Sequence, residues 1–299
     1  MSSKQVEISI GLIKFNSALI CLKRNKTPYE GFIEFPGGKK KGNESPIECL
    51  KREITEELNI RVEKAKFIYC IKHQYEDALI IINVFNIHRY SGNILSNEER
   101  EIVYYDNASG HNVLPTHERI LRLMKLPKLL KIITSLNYDD FNFKSINLYK
   151  YIRLRDISFD AYKAYIQPKL EKYRYNGNLI IDYPFNENWD DNYAGIHFKS
   201  NRIKNCINMK KNNRFLYSAS CHTLDDIELS NKILFDFILI SPVMSSPYDT
   251  TPLGWAKFRD LSNRSHVPTY ALGGLKSLGN DLSNSLSNKG FGLAGIKSI

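Results

Sequence analysis

Apolar positions along the chain fall into two textures. Residues 5–24, QVEISIGLIKFNSALICLKR, hold two runs of apolar and β-branched residues on either side of Asn16-Ser17. That pattern predicts two strands around a turn. EGFIEFPGG (30–38) reads as a short strand entering a Pro-Gly-Gly loop. Ile47, Leu50, Ile54 and Leu58 then recur at helical spacing and predict a helix over 46–58 with one buried stripe. Its start is marked by Ser45 as N-cap, Pro46 at the first helical position and Glu48, an S-x-x-E capping box. Strands are expected over 66–72 and 78–88, and PTHERILRLMK (115–125) predicts a second helix ending near Pro127. These elements make a first domain over residues 1–126 that mixes sheet and helix.

Beyond it the pattern changes to eight short apolar runs: 129–134, 151–156, 178–183, 194–199, 214–220, 236–242, 268–274 and 292–298. Amphipathic stretches such as FDAYKAYIQPKLEKYRY and TLDDIELSNKI lie between several of them. Eight alternations predict a small TIM-like (β/α)8 barrel over residues 127–299, with some helices shortened to loops. The overall expectation is therefore α/β and α+β, an N-terminal mixed-sheet domain followed by a barrel.

Composition narrows the function. The 299 residues are 42% hydrophobic and 12% aromatic, enough for a real core. The net charge of +10 favours phosphate-bearing partners, but no Arg/Lys stripe interleaved with aromatics points to stable nucleic-acid binding. No apolar run approaches a membrane span, and MSSKQVEISI lacks the pattern of a signal peptide. Five scattered cysteines without a CxxC pair read as reduced thiols, and the expected location is cytoplasmic. Oligomeric state is not legible.

The chemistry concentrates in GGKKKGNESPIECLKREITEELNI (37–60). Glu53, Glu56 and Glu57 stand three and four apart, so their carboxylates are expected to converge on one side of the helix. Like charges at that spacing destabilise a helix, and a divalent cation with hard oxygen ligands would offset the cost. Arg52, four before Glu56, can orient a carboxylate, and Gly37-Gly38 lets backbone approach a metal or a phosphate. An ordinary solvated acidic face is the competing reading.

The spacing Gly38-x5-Glu44-x7-Arg52-Glu53-Ile54-x-Glu56-Glu57-x-Asn59-Ile60 resembles the Nudix box, G-x5-E-x7-R-E-U-x-E-E-x-G-U. Only the last glycine departs, replaced by Asn59, and asparagine is the next most tolerant residue in the left-handed conformation needed there. IEFPGGK (33–39) is similar to the opening of the MutT-like branch, which hydrolyses 8-oxo-dGTP to the monophosphate and diphosphate. The resemblance covers residues 5–125 and implies a Nudix α/β/α sandwich. It implies magnesium, with manganese as a substitute, held by the Gly37 carbonyl, Glu53, Glu56, Glu57 and Glu98. Glu44 and Arg52 complete the box. Arg24, Glu34, Phe35, Pro36, Gly37 and Gly38 would meet the nucleotide, and Glu53 or Glu98 would take the proton from water. His117 stands where this branch has an asparagine that reads the oxidised purine, and it reads equally as a surface histidine. Glu98 also reads as one acid of an exposed NEERE loop.

In the second domain LRD (154–156), AGIHF (194–198), SASCHTLDD (218–226) and YALGG (270–274) resemble the thiamine-phosphate synthase/TenI family. Gly273-Gly274, after the seventh run, stand where such barrels hold a phosphate, and the resemblance adds Asp182 and His222 to that ligand site. It departs where the family has an Asn-Asp pair, a second magnesium-binding acid and a lysine, so synthase chemistry is not expected. His222 reads either as the counterpart of a TenI-like histidine or as a polar cap of the following helix. The expected activity is a nucleoside triphosphate pyrophosphohydrolase. The alternatives are a Nudix enzyme acting on a thiamine-related diphosphate and a non-catalytic sensor of phosphorylated ligands.

Overall fold

The first strand, β1 (Lys4–Phe15), leaves through a turn in which Asn16 takes a left-handed φ of 54° and returns as β2 (Ala18–Lys23). The two pair antiparallel, Phe15 opposite Ala18. The computed structural model describes residues 4–97, 100–106, 110–135, 141–185, 193–245, 251–276 and 279–296. They belong to two compact units, Met1–Met124 and Lys125–Ile299.

In the first unit β1 is central. It pairs parallel with β6 (Ala78–Ser91) and antiparallel with β4 (Gly37–Lys39). β5 (Arg61–Gln74) continues the sheet beyond β6, while β3 (Ile33–Glu34) and β7 (Ile102–Tyr105) flank β2. With neighbours on both sides and cover on both faces, β1 is buried without alternation from Ser9 to Ile13. β5 and β6 run longer than the apolar runs predict, because exposed polar residues continue the ladder past the core. β4 and β7 are three and four residues long, too short to leave a periodic signal.

Helix α1 (Pro46–Leu58) carries every predicted device. Ser45 and Glu48 form the capping box, and Leu50, Ile54 and Leu58 enter a core with Ile13, Ile20, Phe85 and Ile87. Asn59 ends the helix at φ 54°, ψ 30°, and its N–H reaches the Thr55 carbonyl at 3.1 Å. The role expected of asparagine in place of glycine is the one it fills. Helix α2 (Pro115–Lys125) begins beside β3, where the Leu114 N–H donates to the Ile33 carbonyl at 3.1 Å. That bond sets His117 next to Phe35.

The second unit is a closed barrel of eight parallel strands, one for each predicted run. They are β8 (Leu129–Thr134), β9 (Tyr151–Arg155), β10 (Asn178–Asp182), β11 (Tyr193–Phe198), β12 (Leu216–Cys221), β13 (Phe237–Ile240), β14 (Thr269–Ala271) and β15 (Gly292–Gly295). The segment 159–172 is not one regular helix: α3 (Phe159–Ala161) widens to a π turn (Tyr162–Ile166) before α4 (Gln167–Lys172). Pro168 has no N–H for the α-helical bond to residue 164, so the helix is interrupted there. The remaining helices are α5 (Leu224–Ile233), α6 (Gly254–Arg264) and α7 (Asp281–Ser287). Short 3-10 turns, Phe143–Leu148 and Ser200–Cys206, replace helices after β8 and β11.

Candidate active site

In the first unit α1, β3, β4 and the start of α2 enclose a cleft of about 390 Å³. Glu53, Glu57, Gly37 and Gly38 line it together with Arg24, Glu34, Phe35, Arg100 and His117. The glycines let helix and strand meet. Gly37 takes φ 140°, and a Cβ there would lie 2.1 Å from the Ser9 carbonyl oxygen. A Cβ on Gly38 would lie 2.5 Å from the carboxyl carbon of Glu53. The Pro36 carbonyl accepts the Gly11 N–H at 2.9 Å and pins the loop to β1.

Arg52 organises the exposed side of the acidic helix. Its Nε and Nη2 hold Glu44 at 3.1 and 2.7 Å, and Nη2 also donates to the Lys39 carbonyl at 3.0 Å. Its Nη1 reaches Glu53 Oε1 at 2.6 Å and Glu56 Oε2 at 3.0 Å. The bonds from Arg52 to Glu44, with one from the Lys41 N–H, hold the Glu44 carboxyl down to about 2.

Glu57 is buried, with its Oε2 accepting the Gly37 N–H at 2.8 Å and its Oε1 accepting Arg100 Nη1 at 2.8 Å. Arg100 Nη2 also donates to Glu34 Oε1, and Arg24 Nη1 donates to Glu34 Oε2 at 3.1 Å. Arg24, Glu34, Arg100 and Glu57 thus form a continuous line of alternating charge across the cleft.

This corrects the expected arrangement. The spacing predicts three carboxylates converging with their repulsion left for a metal to relieve. Glu53 and Glu57 do line one cleft, but Glu53 and Glu56 share Arg52, and Glu57 is held by Arg100. Among the described residues no three His, Cys, Asp or Glu side chains stand together as a metal-holding group. The two guanidinium groups offset the repulsion locally through charge-assisted bonds. The donor set still suits a hard divalent cation. It is all oxygen, and a carboxylate oxygen that accepts one hydrogen bond keeps a second lone pair. Glu98 lies outside the described residues.

His117 is buried, not a surface residue. Its Nδ1 accepts the Phe35 N–H at 2.8 Å, and its ring stacks on Phe35 at 5.5 Å between centroids and 7° between planes. Burial, aided by Arg24 and Arg100, pulls its pKa down to about 3. Arg100 was not singled out from the sequence. It sits within NEERE, and nothing in that acidic run signals a cation turning inward to pair with residues 34 and 57.

The other expected residues lie at the ends of barrel strands, with His222, Gly273 and Gly274 all against the 241–245 turn. Asp182 on β10 is bound by the buried Arg153 of β9, Nε to Oδ1 at 2.8 Å and Nη2 to Oδ2 at 3.1 Å. Beside it His197 of β11 lies between Ser218 and Ser220 of β12, 2.9 Å from each hydroxyl. His222 is exposed at the turn into α5, and its Nδ1–H donates to the Ser241 carbonyl at 2.7 Å. It does not cap α5 with its side chain; Thr223 and Asp226 make that capping box. Gly273 and Gly274 follow β14 and lie against the backbone of Pro242 and Ser245. Arg153 escaped the sequence reading because a charged residue at an inward strand position looks like an ordinary polar alternation.

A family model described as the NUDIX domain matches residues 6–135. The chain is 36% identical over 87 residues to the 8-oxo-dGTP diphosphatase of Proteus vulgaris, covering 28% of this chain and 78% of that protein. It is 40% identical over 96 residues to the 8-oxo-dGTP diphosphatase of Buchnera aphidicola subsp. Schizaphis graminum, covering 32% and 72%. It is 25% identical over 183 residues to a putative thiamine-phosphate synthase 2 of Aquifex aeolicus, covering 58% of this chain and 97% of that protein. No helix among the described residues is long and apolar enough to cross a membrane.

Proposed function

The chain belongs to the NUDIX family, hydrolases that generally use divalent metal ions, and we propose that it is an 8-oxo-dGTP diphosphatase. Water and 8-oxo-dGTP would give 8-oxo-dGMP and diphosphate, clearing oxidised nucleotide from a cytoplasmic pool before it is incorporated into DNA. One observation carries the reading: a single cleft is lined both by Glu53 and Glu57 and by the stacked Phe35 and His117. The acids suit a triphosphate with its cation, and the stacked rings suit a base.

Glu53 is the proposed general base. It takes a proton from water as the oxygen attacks the β-phosphorus, and Arg52 fixes the carboxylate that does so. Glu57 is held in place by the Gly37 N–H, and Arg24 stands ready for phosphate oxygens. Glu53, Glu56, Glu57 and the Gly37 carbonyl would hold magnesium, or manganese in its place, which when bound neutralises charge on the phosphate oxygens and lowers the pKa of water.

Hydrolysis in ¹⁸O-water tests the route. Attack at the β-phosphorus places the label in diphosphate and leaves the monophosphate unlabelled. Label in the monophosphate would overturn that route. The similarity to a thiamine-phosphate synthase favours a second reading, a NUDIX hydrolase acting on a thiamine-related diphosphate. In that case thiamine diphosphates would be cleaved and 8-oxo-dGTP would not.

A further inference from the structure

The two nitrogens of His117 have different fates. Nδ1 accepts the Phe35 N–H, and a backbone N–H can only donate. The neutral ring therefore carries its hydrogen on Nε2. The other tautomer would face two hydrogens together and leave a buried N–H unpaired. Stacking on Phe35 and burial hold the ring in this orientation. Nε2 has no hydrogen-bond partner among the described residues, and His117 lines the cleft. Glu34, the polar side chain next to Phe35, has each oxygen engaged by an arginine.

We propose that His117 is a donor-only reader of the base: its Nε2–H selects a base edge bearing an acceptor and offers no acceptor to an N–H. The proposal rests on the nucleotide reading of the cleft and widens its substrate from 8-oxo-dGTP alone to dGTP as well. In an ordinary guanine N7 is an acceptor, with O6 beside it. Oxidation at C8 adds a carbonyl and puts a hydrogen on N7, turning that acceptor into a donor. A carboxamide at position 117 could accept the N7–H of the oxidised base while donating to O6, a second bond that ordinary guanine cannot make. His117 makes one bond in each case, to N7 or O6 of dGTP or to a carbonyl of 8-oxo-dGTP. The two nucleotides are therefore both substrates and are poorly separated. Burial keeps the ring neutral through the range where such an enzyme works, so Nδ1 does not gain a hydrogen by protonation.

The test compares kcat/KM for 8-oxo-dGTP and dGTP, with Mg²⁺, in the full chain and in His117→Asn and His117→Ala. The wild type should favour the oxidised nucleotide by no more than about tenfold, the separation expected when no dedicated contact is gained or lost. His117→Asn should raise that ratio by about tenfold or more, through the added acceptor. His117→Ala should lower both values by a similar factor. ¹⁵N NMR of histidine-labelled protein reads the tautomer directly, whether or not a variant folds, and should show Nε2–H for His117. A wild-type preference well above about tenfold, an Nδ1–H tautomer, or an unchanged ratio in a folded His117→Asn protein would each overturn the proposal. Turnover of neither nucleotide would overturn the nucleotide reading itself, and this proposal with it.

Discussion

Gly38 and Glu53 occupy each other's space: a Cβ on the glycine would lie 2.5 Å from the carboxyl carbon of the glutamate. Strand and helix are adjacent because Gly38 has no side chain. Gly38→Ala should push the Glu53 carboxylate out of line and lower kcat by about a hundredfold, the usual scale for a misplacement near 1 Å. The neighbour that must move is the flexible end of a side chain, so stability should fall by less than about 1 kcal/mol. Steady-state kinetics beside calorimetry would show whether activity and stability separate in this way.

Arg100 is the counter-ion of two acids that sit deep in the cleft. Arg100→Met should leave Glu57 and Glu34 without it and destabilise the first unit by about 3–5 kcal/mol, as removal of one partner of a buried pair does. Added Mg²⁺ should restore part of the loss, because a cation bound to the folded state stabilises it by mass action. Urea unfolding with and without Mg²⁺, followed by a probe in the first unit, measures both effects.

The barrel makes a parallel prediction. Arg153→Met should strand Asp182 in the interior at a similar cost of about 3–5 kcal/mol, and Arg153→Met with Asp182→Leu should recover most of it. Thermal unfolding of the single and double variants tests whether the pair acts as a unit.

His117 gives a pH dependence with a definite sign. Its pKa is depressed from 6.5 in the unfolded chain to about 3 in the fold. Between those values the unfolded state binds more protons, so stability rises with pH. The contribution of His117 is full above about pH 6.5 and is lost as pH falls toward 3. Between pH 7 and 4.5 the wild type should therefore lose more stability than His117→Gln, which has no ring to protonate. Melting curves of both proteins across that range decide it.

Much of this arrangement was legible from residues alone. Ser45, Pro46, Glu48 and the stripe from Leu50 to Leu58 define α1 because caps and packing stripes are local signals. The eight barrel strands are legible for the same reason, each a short apolar run between polar ones. The partners of the acids were legible only in part. Arg52 meets Glu56, four positions on, as its spacing suggests, but its hold on Glu44 depends on a loop folding back. Arg100 reaches Glu57 from 43 positions away and Glu34 from 66. Such pairings depend on sheet register, which no local pattern carries. His117 escaped for a related reason: its burial and its fixed tautomer come from Phe35, 82 positions earlier.

Hydrolysis of a nucleoside triphosphate by the acidic helix requires the Glu53 carboxylate. Diphosphate release from 8-oxo-dGTP in Mg²⁺, compared between the wild type and Glu53→Gln, tests it most directly. Metal-dependent release should fall by about 10²–10⁴-fold in the variant, the scale of a lost general base. Equal release by the two proteins, or none from the wild type, would contradict it.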